Sequence, residues 1–282
     1  MKTHFSLLFF FLFVTTVLGQ DNPAYVLYNT KGKKIRYSKM LKQLQKSDII
    51  LFGEYHNDPI AHWLQLEVTQ DLHQTQKLCL GAEMLETDIQ EHVNAYLENQ
   101  IDVAALDSLA RLWSNHKTDY APLLDFAKAN QLAFIATNIP RRYASRLFRQ
   151  GLASLDSLTQ QEKSWIVPLP FPFDVTIPSY QSMFEMADGN ENFPHAQAIK
   201  DATMAHFILK NYERGETFLH YNGAFHSDNY EGILWYLKKE APRLEYATIS
   251  LVLQDNIKKL ASENMNRADF IICVPSNMTR TY

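Results

Sequence analysis

Glycine is scarce in this sequence, with nine residues in 282, and neither GxGxxG nor GxxxxGKS/T occurs. Because loops of those two kinds hold the phosphates of dinucleotides and nucleotides, both classes of binding site are set aside. No run of Lys and Arg exceeds two residues, and 27 basic against 31 acidic residues leave a net charge of −4. We therefore expect no nucleic-acid groove that works by neutralising phosphates.

Cysteine is equally scarce, with Cys79 and Cys273 the two present. Each lies in a short apolar run that is typical of a buried strand. Two cysteines are too few for a disulfide scaffold. We expect two small buried thiols, with a Cys79–Cys273 bridge as the less favoured alternative.

Long apolar runs are missing except at the start of the chain, where Lys2 precedes an almost unbroken apolar stretch from Phe5 to Leu18. The stretch is short for a bilayer span and is followed by Gly19, so it predicts a secretory signal peptide over 1–19, with a membrane anchor as the alternative. No cysteine lies near the cleavage site to carry a lipid. Residues 20–282 are expected to be periplasmic or secreted, with no stable membrane span.

Continuous apolar runs alternate with helical patterns along the rest of the chain. Strands are expected near 48–53, 78–84, 133–137, 217–221, 246–253 and 270–275, and a hairpin near 24–36. This order predicts an α/β fold, with a mostly parallel central sheet covered by helices on both faces. Helical and loop insertions complete a single domain over 20–282. Segment 165–178 holds four prolines and is expected to be a long loop or lid.

Chemically active side chains lie near or just past the ends of four of the predicted strands, where open α/β sheets place their functional sites. They are Glu54 and His56, Glu83, Asn138 and Arg141, and His226 and Asp228. Carboxylates beside imidazoles either bind a metal or perform acid–base chemistry. We predict a catalytic set of Glu54, His56, Glu83 and His226. Alternatively, His56, Glu83 and His226 hold a divalent metal.

Three charged residues are expected to have partners that cannot be identified from the sequence. Glu83 lies inside an apolar strand, and an unpaired buried carboxylate is too costly. Arg141 begins a helix, where a cation opposes the helix dipole, and is predicted to pair with Glu83 or an anionic ligand, with an ordinary surface arginine as the alternative. Asp201 lies in an apolar helical stripe, so it is paired inside or faces a site.

Six further histidines divide into three groups. His62 points either to the site or to water, and His206 is expected in the core. His73, His92, His116 and His195 are expected at the surface. Neither GxSxG nor HExxH occurs, which disfavours an α/β-hydrolase and a thermolysin-like zinc protease.

Five motifs in order resemble those of the ChaN family of haem-binding, iron-regulated bacterial proteins. They are Gly53–Pro59, Gly81–Met84, Asn138–Arg141, Asp201–Ala205 and Asn222–His226. The resemblance extends from about 48 to 275, and the family is similar in fold to Tiki and TraB proteins and to erythromycin esterases. This chain departs from the family's frequent His pair, having Ala61-His62, and it lacks the family's frequent lipid-anchoring cysteine.

The resemblance implies an exported haem-binding protein of iron acquisition, with haem as cofactor and a homodimer as a further expectation. It implies cofactor-binding residues Asn138, Arg141, Tyr143, Asp201 and Tyr221. A tyrosine ligand to ferric haem is implied as well, with Tyr143, Tyr180, Tyr221 and Tyr230 left open. Trp165, Phe171, Phe173 and Tyr180 form either an apolar wall for the porphyrin or an ordinary packed loop. The alternative function is a hydrolase, metal-dependent or not, that uses the Glu/His site.

Overall fold

The computed structural model describes residues 22–282, so the predicted signal peptide at 1–19 lies outside the described residues. The strands are β1 Val26–Asn29, β2 Ile49–Glu54, β3 Leu78–Glu86, β4 Phe134–Asn138, β5 Thr217–Gly223, β6 Tyr246–Gln254 and β7 Phe270–Pro275. The helices are α1 Tyr37–Leu44, α2 Pro59–His73, α3 Gln90–Leu97, α4 Val103–Ala110, α5 Ala121–Ala129, α6 Arg141–Gln150, α7 Gln160–Lys163, α8 Pro178–Met186, α9 Asn192–Asn211 and α10 Ile233–Glu240. Among these helices, none is both long and apolar enough to cross a membrane.

The strands form one sheet in the order β1-β7-β6-β2-β5-β3-β4. Every neighbouring pair is parallel except β1 with β7. The predicted mostly parallel α/β fold is therefore confirmed. Strand β5 returns to pair between β2 and β3, so three strands that are far apart in sequence end side by side.

Both faces of the sheet are buried, because the central strands carry apolar side chains on each face over most of their length. Ile50 and Phe52 of β2 pack with α1–α5, whereas Ile49 and Leu51 pack with α6 and α8–α10. Successive side chains of a strand point to opposite faces, so each strand contributes to both cores. The prediction of helices on both faces is confirmed.

The turn after β2 is held by Asp58, which accepts hydrogen bonds from the backbone N–H groups of Ile60 (3.0 Å) and Ala61 (3.1 Å). Pro59 follows at the first helical position, where its missing N–H costs nothing. The buried Asp58 carboxylate also pairs with Arg280. These contacts set the direction in which the chain leaves the strand end.

Four local expectations have clear outcomes. The hairpin expected at 24–36 is present as a short antiparallel return, in which Tyr28 bridges Lys34 and the Ile35 N–H donates to the Leu27 carbonyl at 2.9 Å, while β1 pairs along its length with β7. The proline-rich stretch is irregular as predicted, but helix α8 follows at once from Pro178. Cys79 and Cys273 are free and buried, as expected. His116 is buried in a single π-helical turn, His116–Tyr120, rather than lying at the surface.

Candidate functional site

Glu54, the last residue of β2, is buried and accepts hydrogen bonds from three sides. The Nδ1 atom of His56 lies 2.8 Å from its Oε1. Gln65 of α2 donates to Oε2 at 2.6 Å, and the hydroxyl of Tyr120 donates to Oε1 at 2.7 Å. Glu54 therefore orients the His56 ring while its own charge is stabilised.

His62, on the first turn of α2, lies against this carboxylate. Its Nδ1 is 3.3 Å from Glu54 Oε2, close enough for an ion pair although the angle is poor for a hydrogen bond. Its Nε2 is 3.4 Å from Asp119. Of the two alternatives for His62, the structure thus places it at the site.

The charges in this group favour an ionised Glu54. Burial would raise the pKa of Glu54, but the contacts with His56 and His62 outweigh burial and lower the pKa to about 2. Burial would lower the pKa of His56, but Glu54 and Glu83 outweigh it and raise that pKa. One third of the His56 side chain is exposed, so this imidazole can meet a ligand from solvent.

A second group forms where β3, β5 and α9 meet. The Nε2 atom of His226 lies 3.1 Å from Glu83 Oε1, and its Nδ1 is bonded to Asp201. The Glu83 Oε2 atom accepts the backbone N–H of Gly223 at 2.7 Å, and Tyr180 donates to Asp201 at 2.7 Å. Glu83, Asp201 and His226 are almost completely buried.

The two carboxylates hold His226 as an imidazolium. Burial would lower the pKa of His226, but attraction to Glu83 and Asp201 raises it to about 10. Burial likewise opposes ionisation of Glu83, yet His226, His56 and the N–H of Gly223 bring its pKa below the ordinary value. The pKa of Asp201 is raised, because burial outweighs the contacts with His226 and Tyr180.

Gly223 is the point at which the two groups approach. A Cβ atom at this position would lie 2.9 Å from His56 Nε2 and 3.5 Å from Glu83 Oε2. The His56 ring thus occupies the space that any larger residue would fill. The sequence prediction that Glu54, His56, Glu83 and His226 share one edge of the sheet agrees with this placement.

The metal assignment to His56, Glu83 and His226 receives no support from the geometry. In the described part of the chain, no group of three or more His, Cys, Asp or Glu side chains is arranged to hold a metal ion. Glu83 already uses both oxygens for His226 and Gly223.

The predicted pairing of Arg141 with Glu83 is wrong, because Glu83 is paired with His226 and Arg141 faces a groove on the outer side of α6. Helix α6 buries Tyr143, Ala144 and Leu147, and that packing turns Arg141 outward.

The other predicted cofactor residues are dispersed. Asn138 ends β4, and its buried Oδ1 has no hydrogen-bond donor within 22–282. Tyr143 is buried and donates to Glu162 at 3.0 Å. Tyr221 is fully buried in β5 and lies 2.6 Å from the Thr69 hydroxyl. Asp228, which the sequence placed after the same strand as His226 but not among the cofactor residues, accepts hydrogen bonds from Ser250 and Arg267. Of the predicted set, Asp201 joins the buried group.

Several residues of the site escaped sequence reasoning: Gln65, Tyr120, Asp119, Gln197 and His220. Gln197 precedes Asp201 by one helical turn, and its amide lies 3.0 Å from His226 Nδ1. His220 bonds to Thr137 and Asn222, and burial lowers its pKa to about 4, so it is neutral. The i, i+4 spacing could have identified Gln197; Tyr120 lies in an insertion and has no such signal.

The fold and site define a class of α/β protein with an acidic and imidazole-bearing strand edge. The family model described as haem-binding uptake, Tiki superfamily, ChaN matches residues 40–237, more than half of the chain. This chain therefore belongs to the ChaN haem-binding uptake family of the Tiki superfamily.

Solved structures agree on the fold. A structure of cofacial haem binding to ChaN of Campylobacter jejuni is 17% identical, with a TM-score of 0.68, and the match covers 90% of this chain and 98% of that one. A Bacillus cereus protein is 11% identical with a TM-score of 0.53, covering 89% and 94%. At these identities the likeness concerns the fold.

Among curated proteins, this chain is similar to the chloroplastic protein RETICULATA-RELATED 5 of Arabidopsis thaliana. The two are 26% identical over 133 residues, which make up 44% of this chain and 18% of the relative. The similar stretch is thus a small part of that relative.

Proposed function

We propose that this protein binds haem outside the cytoplasm as part of iron acquisition. Membership of the haem-binding uptake family over residues 40–237 is the observation that carries the proposal. The apolar N-terminal stretch from Phe5 to Leu18 supports export.

The strand edge offers an aromatic surface that suits a flat ligand. Tyr55 and Phe225 are 38% and 48% exposed, so both rings are open to a ligand from solvent. Each is next to a site residue, since Tyr55 lies between Glu54 and His56 and Phe225 precedes His226. The parallel pairing of Glu54 with Gly223 brings the two turns together.

Tyr55 is exposed at this edge, directly between Glu54 and His56, and is the tyrosine proposed to ligate haem. Tyr143, Tyr180 and Tyr221 are buried with their hydroxyls engaged. The hydroxyl of Tyr230 lies 3.3 Å from Asp269 and 3.5 Å from Thr30. Haem would supply the iron that a phenolate oxygen binds. The chain would supply the phenol at Tyr55, an apolar contact at Phe225, and a hydrogen-bonding imidazole at His56.

Titration of the purified mature protein with haemin, followed by its Soret band, tests the proposal. Tyr55→Phe is expected to abolish the tyrosinate signature, while Tyr230→Phe retains it. Absence of a saturable shift of the Soret band in the wild type would contradict the haem proposal. Equal spectra for wild type and Tyr55→Phe would show that Tyr55 is not the ligand, and would leave the proposal of haem binding standing.

Export and assembly have separate tests. Expression of the full chain in a bacterium should release a periplasmic or secreted form whose N-terminus is Gln20, whereas retention of Met1 would contradict the signal peptide. Size-exclusion chromatography with and without haemin tests the homodimer, which the resemblance alone suggests. A monomer in both samples would contradict it.

Acid–base catalysis of a hydrolysis is the second candidate function, favoured by one observation. His56 is oriented through Nδ1 by a buried carboxylate, and its Nε2 faces the edge of the sheet near Glu83. That is the arrangement of a general base with its orienting group. A peptidase and esterase panel on wild type and His56→Ala, each with chelator, tests it. Equal activity in both proteins would exclude His56 as the base.

A further inference from the structure

A groove of about 810 Å³ opens beside His56, outside the acid–imidazole cluster. Its walls are α6 and the segment that follows α4, from Arg111 to Asn115, and Glu86 and Tyr282 complete the lining. Sites for small molecules commonly have volumes of about 300–1,000 Å³. The groove is therefore of a size to take a small ligand.

The α6 wall is a stripe of polar side chains at every fourth residue. Arg141, Ser145 and Arg149 lie along one side of the helix and all line the groove. Among residues 22–282, neither Arg141 nor Arg149 belongs to an ion pair. Both are exposed, so their charges face the groove without a compensating carboxylate.

Two more arginines border the groove, and these are already paired. Arg111 lies 2.9 Å from Glu86 and 2.8 Å from Asp88, and Arg142 lies 2.5 Å from Asp88. Four guanidinium groups thus stand against two carboxylates. This excess of positive charge lies in a chain whose net charge is −4, so the groove differs in sign from the protein as a whole.

Two of the residues that line the groove contact His56. The Trp113 side chain lines the groove, and its ring centroid is 4.8 Å from that of His56. Asn115, another lining residue, donates to the backbone carbonyl of His56 at 3.0 Å. A ligand in the groove would therefore contact Trp113 and lie next to the imidazole.

We propose that this groove binds the oxyanion end of a small ligand, a carboxylate or a phosphate, through Arg141 and Arg149, with the rest of the ligand against Trp113 and His56. Guanidinium groups bind such oxyanions through charge-assisted, often bidentate, hydrogen bonds. The anion site does not require haem: the carboxylate is either a porphyrin propionate or part of another small molecule.

Calorimetric titration with inorganic pyrophosphate and with citrate, at low ionic strength, tests the anion site in the mature protein. The double variant Arg141→Gln/Arg149→Gln should bind at least about tenfold more weakly than wild type. Arg146→Gln is the matched control, because Arg146 lies on the same helix but donates to Ser157 at 2.7 Å. Circular dichroism should show all three proteins folded. No saturable binding by wild type, or equal affinity in the double variant, would overturn the proposal.

Haemin and its dimethyl ester separate the two sources of the anion. If the double variant loses affinity for haemin but not for the ester, the groove takes a propionate. If it loses affinity for pyrophosphate or citrate while haemin binding is unchanged, the groove serves another anion. Arginine-dependent anion binding by a wild type that binds no haemin would end the haem proposal and leave the groove assignment standing.

Discussion

The two halves of the site lie on opposite faces of the same sheet edge and differ in access to solvent. Glu54 lies on the α2 side with a partly exposed His56, whereas Glu83 meets the buried His226 on the α9 side. With a pKa of about 10, His226 keeps its proton at neutral pH and cannot serve as a base there. His56 is therefore the imidazole that can meet a ligand, and the buried half shapes its electrostatic surroundings.

Removal of Asp201 should reduce the stability of the fold most, because it leaves the buried imidazolium of His226 with one carboxylate partner fewer. Asp201→Ala is expected to lower the free energy of unfolding by about 3–5 kcal/mol. His56→Ala in the accessible half should lower it by about 1 kcal/mol, since Gln65 and Tyr120 still donate to Glu54. Urea unfolding measures both values. Equal losses would remove the distinction between the two halves.

The charge on His226 also predicts a pH dependence of stability. Between about pH 6.5 and 10 the folded protein holds a proton on His226 that the unfolded chain releases. The unfolded state then binds fewer protons, so the free energy of unfolding falls as pH rises, by at most about 1.4 kcal/mol per pH unit. Below pH 6.5 the full contribution is present.

Urea unfolding between pH 7 and 9 compares the wild type with His226→Gln. The downward slope should flatten in the variant, which has no proton to lose at this position. A slope of the same size in both proteins would mean that His226 is neutral in the fold.

Gly223 tests whether the two halves touch. Its φ of −57° and ψ of 137° suit any residue, so the cost of Gly223→Ala comes from the methyl group meeting the His56 ring. We expect a loss of about 1–3 kcal/mol in the free energy of unfolding. In a His56→Ala background the same change should be nearly neutral, because the space is then open. An unchanged cost in that background would place the strain elsewhere.

The strand-edge residues could be predicted from the sequence, because a parallel sheet brings the ends of its strands together. Glu54, Glu83 and His226 could be predicted once the strands were placed correctly. Asp201 could be predicted because it is an acidic residue within an apolar helical stripe. Partners that depend on tertiary packing had no local signal. Tyr120 reaches Glu54 from a π-helical turn 66 residues away, and the outward direction of Arg141 follows from the side chains that α6 buries.

The last described residues contact the accessible half of the site, so a change there tests how that half is held. The hydroxyl of Thr281 donates to Asp119 at 2.9 Å, and Asp119 in turn lies beside His62. Thr281→Ala should lower the free energy of unfolding by about 0.5–1.5 kcal/mol, the net contribution of one hydrogen bond. Thr279→Ala, at a nearby exposed position, is the control and should have no effect in thermal unfolding. If both variants behave alike, the tail does not support the His62 side of the site, and the accessible half is held by α2 and the π-helical turn alone.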